Sequence, residues 1–88
     1  MSKYRTGDRV FAIVNDTVLS ITCRSPQEWT AVVFDLAQKK ALAELAGLRT
    51  VAEAQNKAIA SAISLCGITG ADVAWKEALV ARPSLADG

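Results

Sequence analysis

Eighty-eight residues, 51% hydrophobic and 22% charged, hold apolar material for one folded domain and too little length for two. Ten Lys and Arg against nine Asp and Glu leave a net charge of +1, without the basic excess of a protein that lives on phosphate contacts. Histidine is absent, which removes the commonest general base, metal ligand and pH switch.

Residues 9–14 (RVFAIV) are a β-branched and aromatic run and predict a strand. Asn15 and Asp16 tolerate a left-handed backbone and predict a tight hairpin turn. Residues 17–24 (TVLSITCR) alternate, with Leu19, Ile21 and Cys23 on one face and Ser20, Thr22 and Arg24 on the other. After a turn at Ser25 to Glu28, residues 29–36 (WTAVVFDL) predict a third strand. Residues 37–48 read two ways: as a short helix of good formers ended by Gly47, or as a loop at Gln38 to Lys40 leading into a fourth strand.

Thr50 and Glu53 form a capping box that opens a helix over residues 51–65, ended by Gly67. In the box, Glu53 reaches back to the amide of Thr50. Val51, Ala54, Ala58, Ala62 and Leu65 flank a ridge of Ile59, Ile63 and Cys66, and the small residues suit a helix lying close to a sheet. Thr69 and Asp72 form a second box and predict a last helix to about residue 81, with Trp75 and Leu79 on one side. The expected fold is α+β: a three- or four-stranded antiparallel sheet backed by an alanine-rich helix, with a second C-terminal helix. It occupies residues 1–82 as a single domain, and 83–88 form a frayed tail. The large apolar residues expected to define the core include Phe11, Ile13, Leu19, Ile21, Trp29 and Val33. Phe34, Ile59, Ile63, Leu65, Trp75 and Leu79 complete that set.

The usual chemistry is missing. Cys23 and Cys66 are far apart, lack a histidine partner and fall on apolar faces, so they read as reduced core residues, not as a nucleophile or a zinc pair. Asp35, at the end of the third strand, reads as a turn residue, and Gly67 with Gly70 as a helix–helix turn rather than a phosphate loop. No cofactor or metal is expected, and an enzyme is not. No secretion leader opens the chain and no apolar run approaches a membrane span, so a cytoplasmic protein without a membrane partner is expected. The basic residues allow two gatherings: Lys3, Arg5, Arg9 and Arg24 at one end of the first hairpin, and Lys39, Lys40 and Arg49 near the capped helix.

Register locates the most informative surface. A two-residue loop pairs Val14 with Thr17, Ala12 with Leu19 and Val10 with Ile21, an apolar face for the helix to cover. The other face then presents Phe11, Ile13 and Val18, bordered by Arg9, Ser20, Thr22 and Arg24. An apolar patch with a polar rim, on a face that should be polar, predicts a contact surface. The last helix could fold over it, two copies could pair through it as a homodimer, or a different protein could dock there.

Trp29 to Val33 followed by Gly47 to Ala54 resembles the strand-to-helix junction of small AP2-like and integrase arm-type domains. There a tryptophan-led strand, a glycine, a threonine cap and a Glu-Ala pair precede a helix backing a three-stranded sheet. The resemblance covers about a third of the chain. It implies DNA contact from the sheet, though the strand residues here are not predominantly Arg or Lys and the Trp-to-Gly interval is longer. In size and missing chemistry the chain is also similar to small phage and mobile-element accessory proteins, among them anti-CRISPR inhibitors. The function expected is a non-enzymatic protein-binding module that blocks another protein, with a nucleic-acid-binding sheet-plus-helix domain as the alternative.

Overall fold

The computed structural model describes residues 4–80. Five strands, β1 (Arg9–Val14), β2 (Thr17–Ser25), β3 (Glu28–Asp35), β4 (Lys40–Leu48) and β5 (Lys76–Ala78), form one antiparallel sheet in the order β4-β3-β2-β1-β5. Helix α1 (Val51–Cys66) lies across β2, β3 and β4. The fold is α+β, as expected, but with five strands where three or four were predicted and with one helix among the described residues.

The first hairpin has the predicted register: Asn15 turns the chain at φ 55°, and Val14 pairs with Thr17, Ala12 with Leu19 and Val10 with Ile21. Pro26 and Gln27 turn the second hairpin between the paired Ser25 and Glu28. Residues 36–39 turn the third. There Asp35 Oδ1 accepts the amides of Ala37 at 2.9 Å and Gln38 at 3.4 Å, so Asp35 acts as a turn residue.

Residues 37–48 resolve toward strand. Their Ala, Leu, Glu and Lys favour a helix in isolation, but β3 is apolar on both faces and would otherwise present an open edge. Pairing satisfies that edge, and packing overrides propensity. Gly47, expected to end a helix, instead takes φ 74° inside β4, where the ladder with β3 slips between Trp29 and Ala31.

The predicted C-terminal helix is absent. Thr69 makes no side-chain capping bond, and only a 3₁₀ turn forms, over Gly70–Asp72. Without its cap a helix of this length is marginal, while the free edge of β1 offers backbone partners. The chain takes them as β5, pairing Lys76 with Phe11, Glu77 with Val10 and Ala78 with Arg9. The frayed tail predicted for 83–88 lies outside the described residues.

Helix α1 keeps its cap. Thr50 Oγ1 accepts the Glu53 amide at 3.0 Å, and Gly67 at φ 69° returns its N–H to the Ile63 carbonyl at 3.0 Å. The reciprocal arm differs by one residue, since Glu53 Oε1 takes the amide of Arg49 at 2.9 Å rather than that of Thr50. Thr50→Ala is expected to lower stability by about 1 kcal/mol in urea melts, by stripping a first-turn amide of its acceptor. An unchanged midpoint would show that the hydroxyl contributes nothing.

The core lies between α1 and one face of the sheet. Leu19, Ile21, Trp29 and Val33 are buried there as expected, with Ala54, Ala58 and Ala62 as the contact line of the helix. Alanines spaced four apart stack on one side and let the backbone approach the strands. The expected Ile59–Ile63 ridge is turned aside toward Gly70, leaving Ile59 half-buried and Ile63 exposed. Leu65, in the last turn, overhangs a cleft beside Asn15 and Thr17 and is exposed, as is Leu79. Trp75 is half-buried against the helix-side core. Phe11 and Phe34 are only half-buried and Ile13 is exposed, so these three expected core residues lie outside it.

Candidate functional site

The helix covers one face of the sheet, and among the described residues no element covers the other. Strand alternation decides what that open face carries. Val10, Ala12, Leu19, Ile21, Ala31 and Val33 point to the helix, so Phe11, Ile13, Val18, Ser20, Val32 and Phe34 point away. Pairing assembles the latter into two rows: Ile13 beside Val18 beside Phe34, and Phe11 beside Ser20 beside Val32. Ile13 is 57% exposed, while Phe11, Val18, Val32 and Phe34 are half-buried by one another and by the strands' own side chains.

Of the residues singled out in the sequence, Phe11, Ile13 and Val18 share this face with Arg9 and Arg24 at one end. Arg9 pairs with Thr22, and Arg24 lies two residues further along the same side of β2, so both exposed guanidinium groups border the patch. Thr22, Arg24, Thr30 and Glu44 line a shallow trough on its β4 side. Val32 and Phe34 belong to the patch and were missed. β3 is apolar on both faces, so alternation offers no contrast there. The last helix that could have covered the patch does not form, and Trp75 packs on the opposite side.

The second basic gathering does not occur. Lys39 and Lys40 sit at one end of β4 and Arg49 beyond the other, about 30 Å away along a nine-residue strand. Of the first gathering, Lys3 lies outside the described residues and Arg5 is exposed in the loop before β1.

Asp8 is a second feature that sequence reading missed. It is fully buried, and its carboxylate accepts the Arg5 amide and the Val80 amide, each at 2.8 Å. Tyr4 donates to Glu77 and meets Trp29 edge-on, with ring centroids 5.1 Å apart. The segment before β1 and the segment around β5 are thus clasped together. The buried carboxylate thus ties the backbone of both segments to the start of β1.

Cys23 is buried and donates its thiol to the Ser25 carbonyl at 3.1 Å. Burial, and secondarily the charge of Asp8, push its pKa up, which disfavours the thiolate that nucleophilic chemistry needs. Cys66 is half-buried at the cleft that also holds Asp16 and Asp35, a hollow of about 350 Å³. Among the described residues no group of three or more Cys, Asp or Glu is placed to hold a metal ion, and no helix is long and apolar enough to cross a membrane. No protein-family model, curated protein or solved structure matches the chain.

Proposed function

We propose that the protein is a non-enzymatic binding module whose uncovered sheet face docks on another polypeptide and acts by blocking it. One observation carries this reading: Phe11, Ile13, Val18, Val32 and Phe34 form a continuous apolar block on a face that no described element covers, with polar residues around it. A one-sided antiparallel sheet is normally polar on its open side, and an apolar centre with a polar rim is the anatomy of a contact surface. A nucleic-acid contact is the competing reading. The mixed border weighs against it, since Glu44 accompanies Arg9, Arg24 and Lys76 around the same block.

Capture from an extract of the native host, with and without nuclease and at two salt concentrations, separates the readings. A protein is expected to be retained through nuclease treatment and elevated salt, because an apolar contact is weakly screened. Retention of nucleic acid alone, lost by orders of magnitude as salt rises from 50 to 200 mM, would overturn the proposal.

A further inference from the structure

Three turns of the chain meet at one end of the sheet. The first hairpin turns at Asn15 and Asp16, and the third at residues 36–39. Helix α1 starts beyond the far end of β4 and runs back to end beside both. The Leu36 amide donates to the Asp16 carbonyl at 2.8 Å and ties the two hairpins together. Between them and the last turn of α1 lies the hollow of about 350 Å³ that Cys66 borders, a size that holds a small ligand.

The lining combines negative charge with hydrocarbon. Asp16 and Asp35 are its charged residues, and no described Lys or Arg lines it. Lys40 stands across from Asp35 in the ladder, but it is exposed and pairs with neither carboxylate. Asp35 gives Oδ1 to the turn amides, and the turn makes no use of Oδ2. Helix α1 adds the negative end of its dipole, with no basic residue in its last turn. Leu42, Leu65 and Ile68 supply an apolar wall.

Thr17 is the second, independent observation. It is 6% exposed and sits opposite Asp35 on the helix-facing side of the sheet. Its hydroxyl makes no hydrogen bond with the protein, yet the oxygen is not sealed in, so it opens into the hollow that the residue lines. A hydroxyl so deeply placed normally has a partner.

We propose that this hollow binds a small organic cation, a protonated amine on a short aliphatic body. The ammonium donates to Asp16, to Asp35 Oδ2 and to Thr17 Oγ1, and the leucine and isoleucine side chains enclose the hydrocarbon. A metal ion fits less well, because these carboxylates belong to no group of three metal-binding side chains and half the wall is apolar. The site lies on the helix side of the sheet and stands or falls apart from the docking face.

The test is a titration of the full chain, followed by amide chemical shifts, with n-butylammonium, with 1-butanol as its neutral isostere and with magnesium. Butylammonium is expected to shift residues 15–17, 35–38 and 65–68 saturably, with 1-butanol at least about tenfold weaker. Asp35→Asn keeps an Oδ1 acceptor for the turn and is expected to weaken binding at least about tenfold. Thr17→Val is expected to weaken it about three- to tenfold while keeping or raising the urea midpoint, since an apolar isostere replaces an unbonded buried hydroxyl. Absence of a saturable response to butylammonium would overturn the site, and an equal response to 1-butanol would overturn recognition of charge. Saturation by magnesium alone would overturn the organic ligand. A lowered midpoint in Thr17→Val would give the hydroxyl a structural role and remove its assignment. Tighter binding of N-acetyl-lysine methylamide than of butylammonium would overturn the free amine in favour of a lysine from another polypeptide.

Discussion

Trp29→Ala is expected to lower stability by about 3–5 kcal/mol, the usual cost of emptying a large aromatic site in a core. Trp29 is 1% exposed, and no other fully buried side chain is larger. It sits on β3 between Cys23 of β2 and Leu48 of β4, with Tyr4 edge-on to its ring. Its loss would open a cavity where two strand pairs, the helix and the segment before β1 meet. Small domains keep a margin of only about 5–15 kcal/mol, and a chain of this length falls toward the lower end. The variant is therefore expected to melt far below the wild type in urea, followed by circular dichroism, with Trp29→Phe recovering part of the loss. A midpoint within the error of the wild type would mean that the core does not depend on this residue.

The largest functional effect is expected from Phe11→Asp combined with Ile13→Lys. Ile13 is mostly exposed, Phe11 is half-buried, and neither belongs to the cluster packed beneath the helix. Charges there meet solvent and cost the fold little. In a bound state the same charges would be pressed against an apolar partner without water, and truncating even one central anchor of an interface commonly costs 2 kcal/mol or more. The double variant is expected to keep its circular dichroism spectrum and to bind at least about a hundredfold more weakly to whatever polypeptide the wild type holds. Unfolding would assign the face to the core. A folded variant that binds as before would move the functional surface elsewhere.

Local chemistry made part of this legible beforehand. A two-residue Asn-Asp loop leaves one register for β1 and β2, so the helix-facing set and the Phe11, Ile13, Val18 set both follow from it. Thr50 and Gly67 likewise declare the ends of α1. The misses share a cause. Residues 40–48 and 76–78 have helical composition, and became strands because β3 and β1 each had a backbone edge to satisfy. The demand comes from elsewhere in the chain, and in β5 it spans more than sixty residues. Asp8 was invisible for the same reason, because the Val80 amide that it accepts lies 72 residues away. Val32 and Phe34 escaped notice because a strand apolar on both sides has no period to read.

The irregular outer strand β4 bears on how far any assembly can grow. Its ladder with β3 slips twice, between Trp29 and Ala31 and between Val33 and Phe34, and Gly47 carries a positive φ. An edge bent in this way, with Lys40 and Glu44 exposed along it, is a poor template for a new strand. The opposite edge is split between the three residues of β5 and residues 12–14 of β1, which β5 does not pair. Addition at a straight edge would repeat without limit. The bulges therefore deny an apolar sheet the route by which such sheets become fibres.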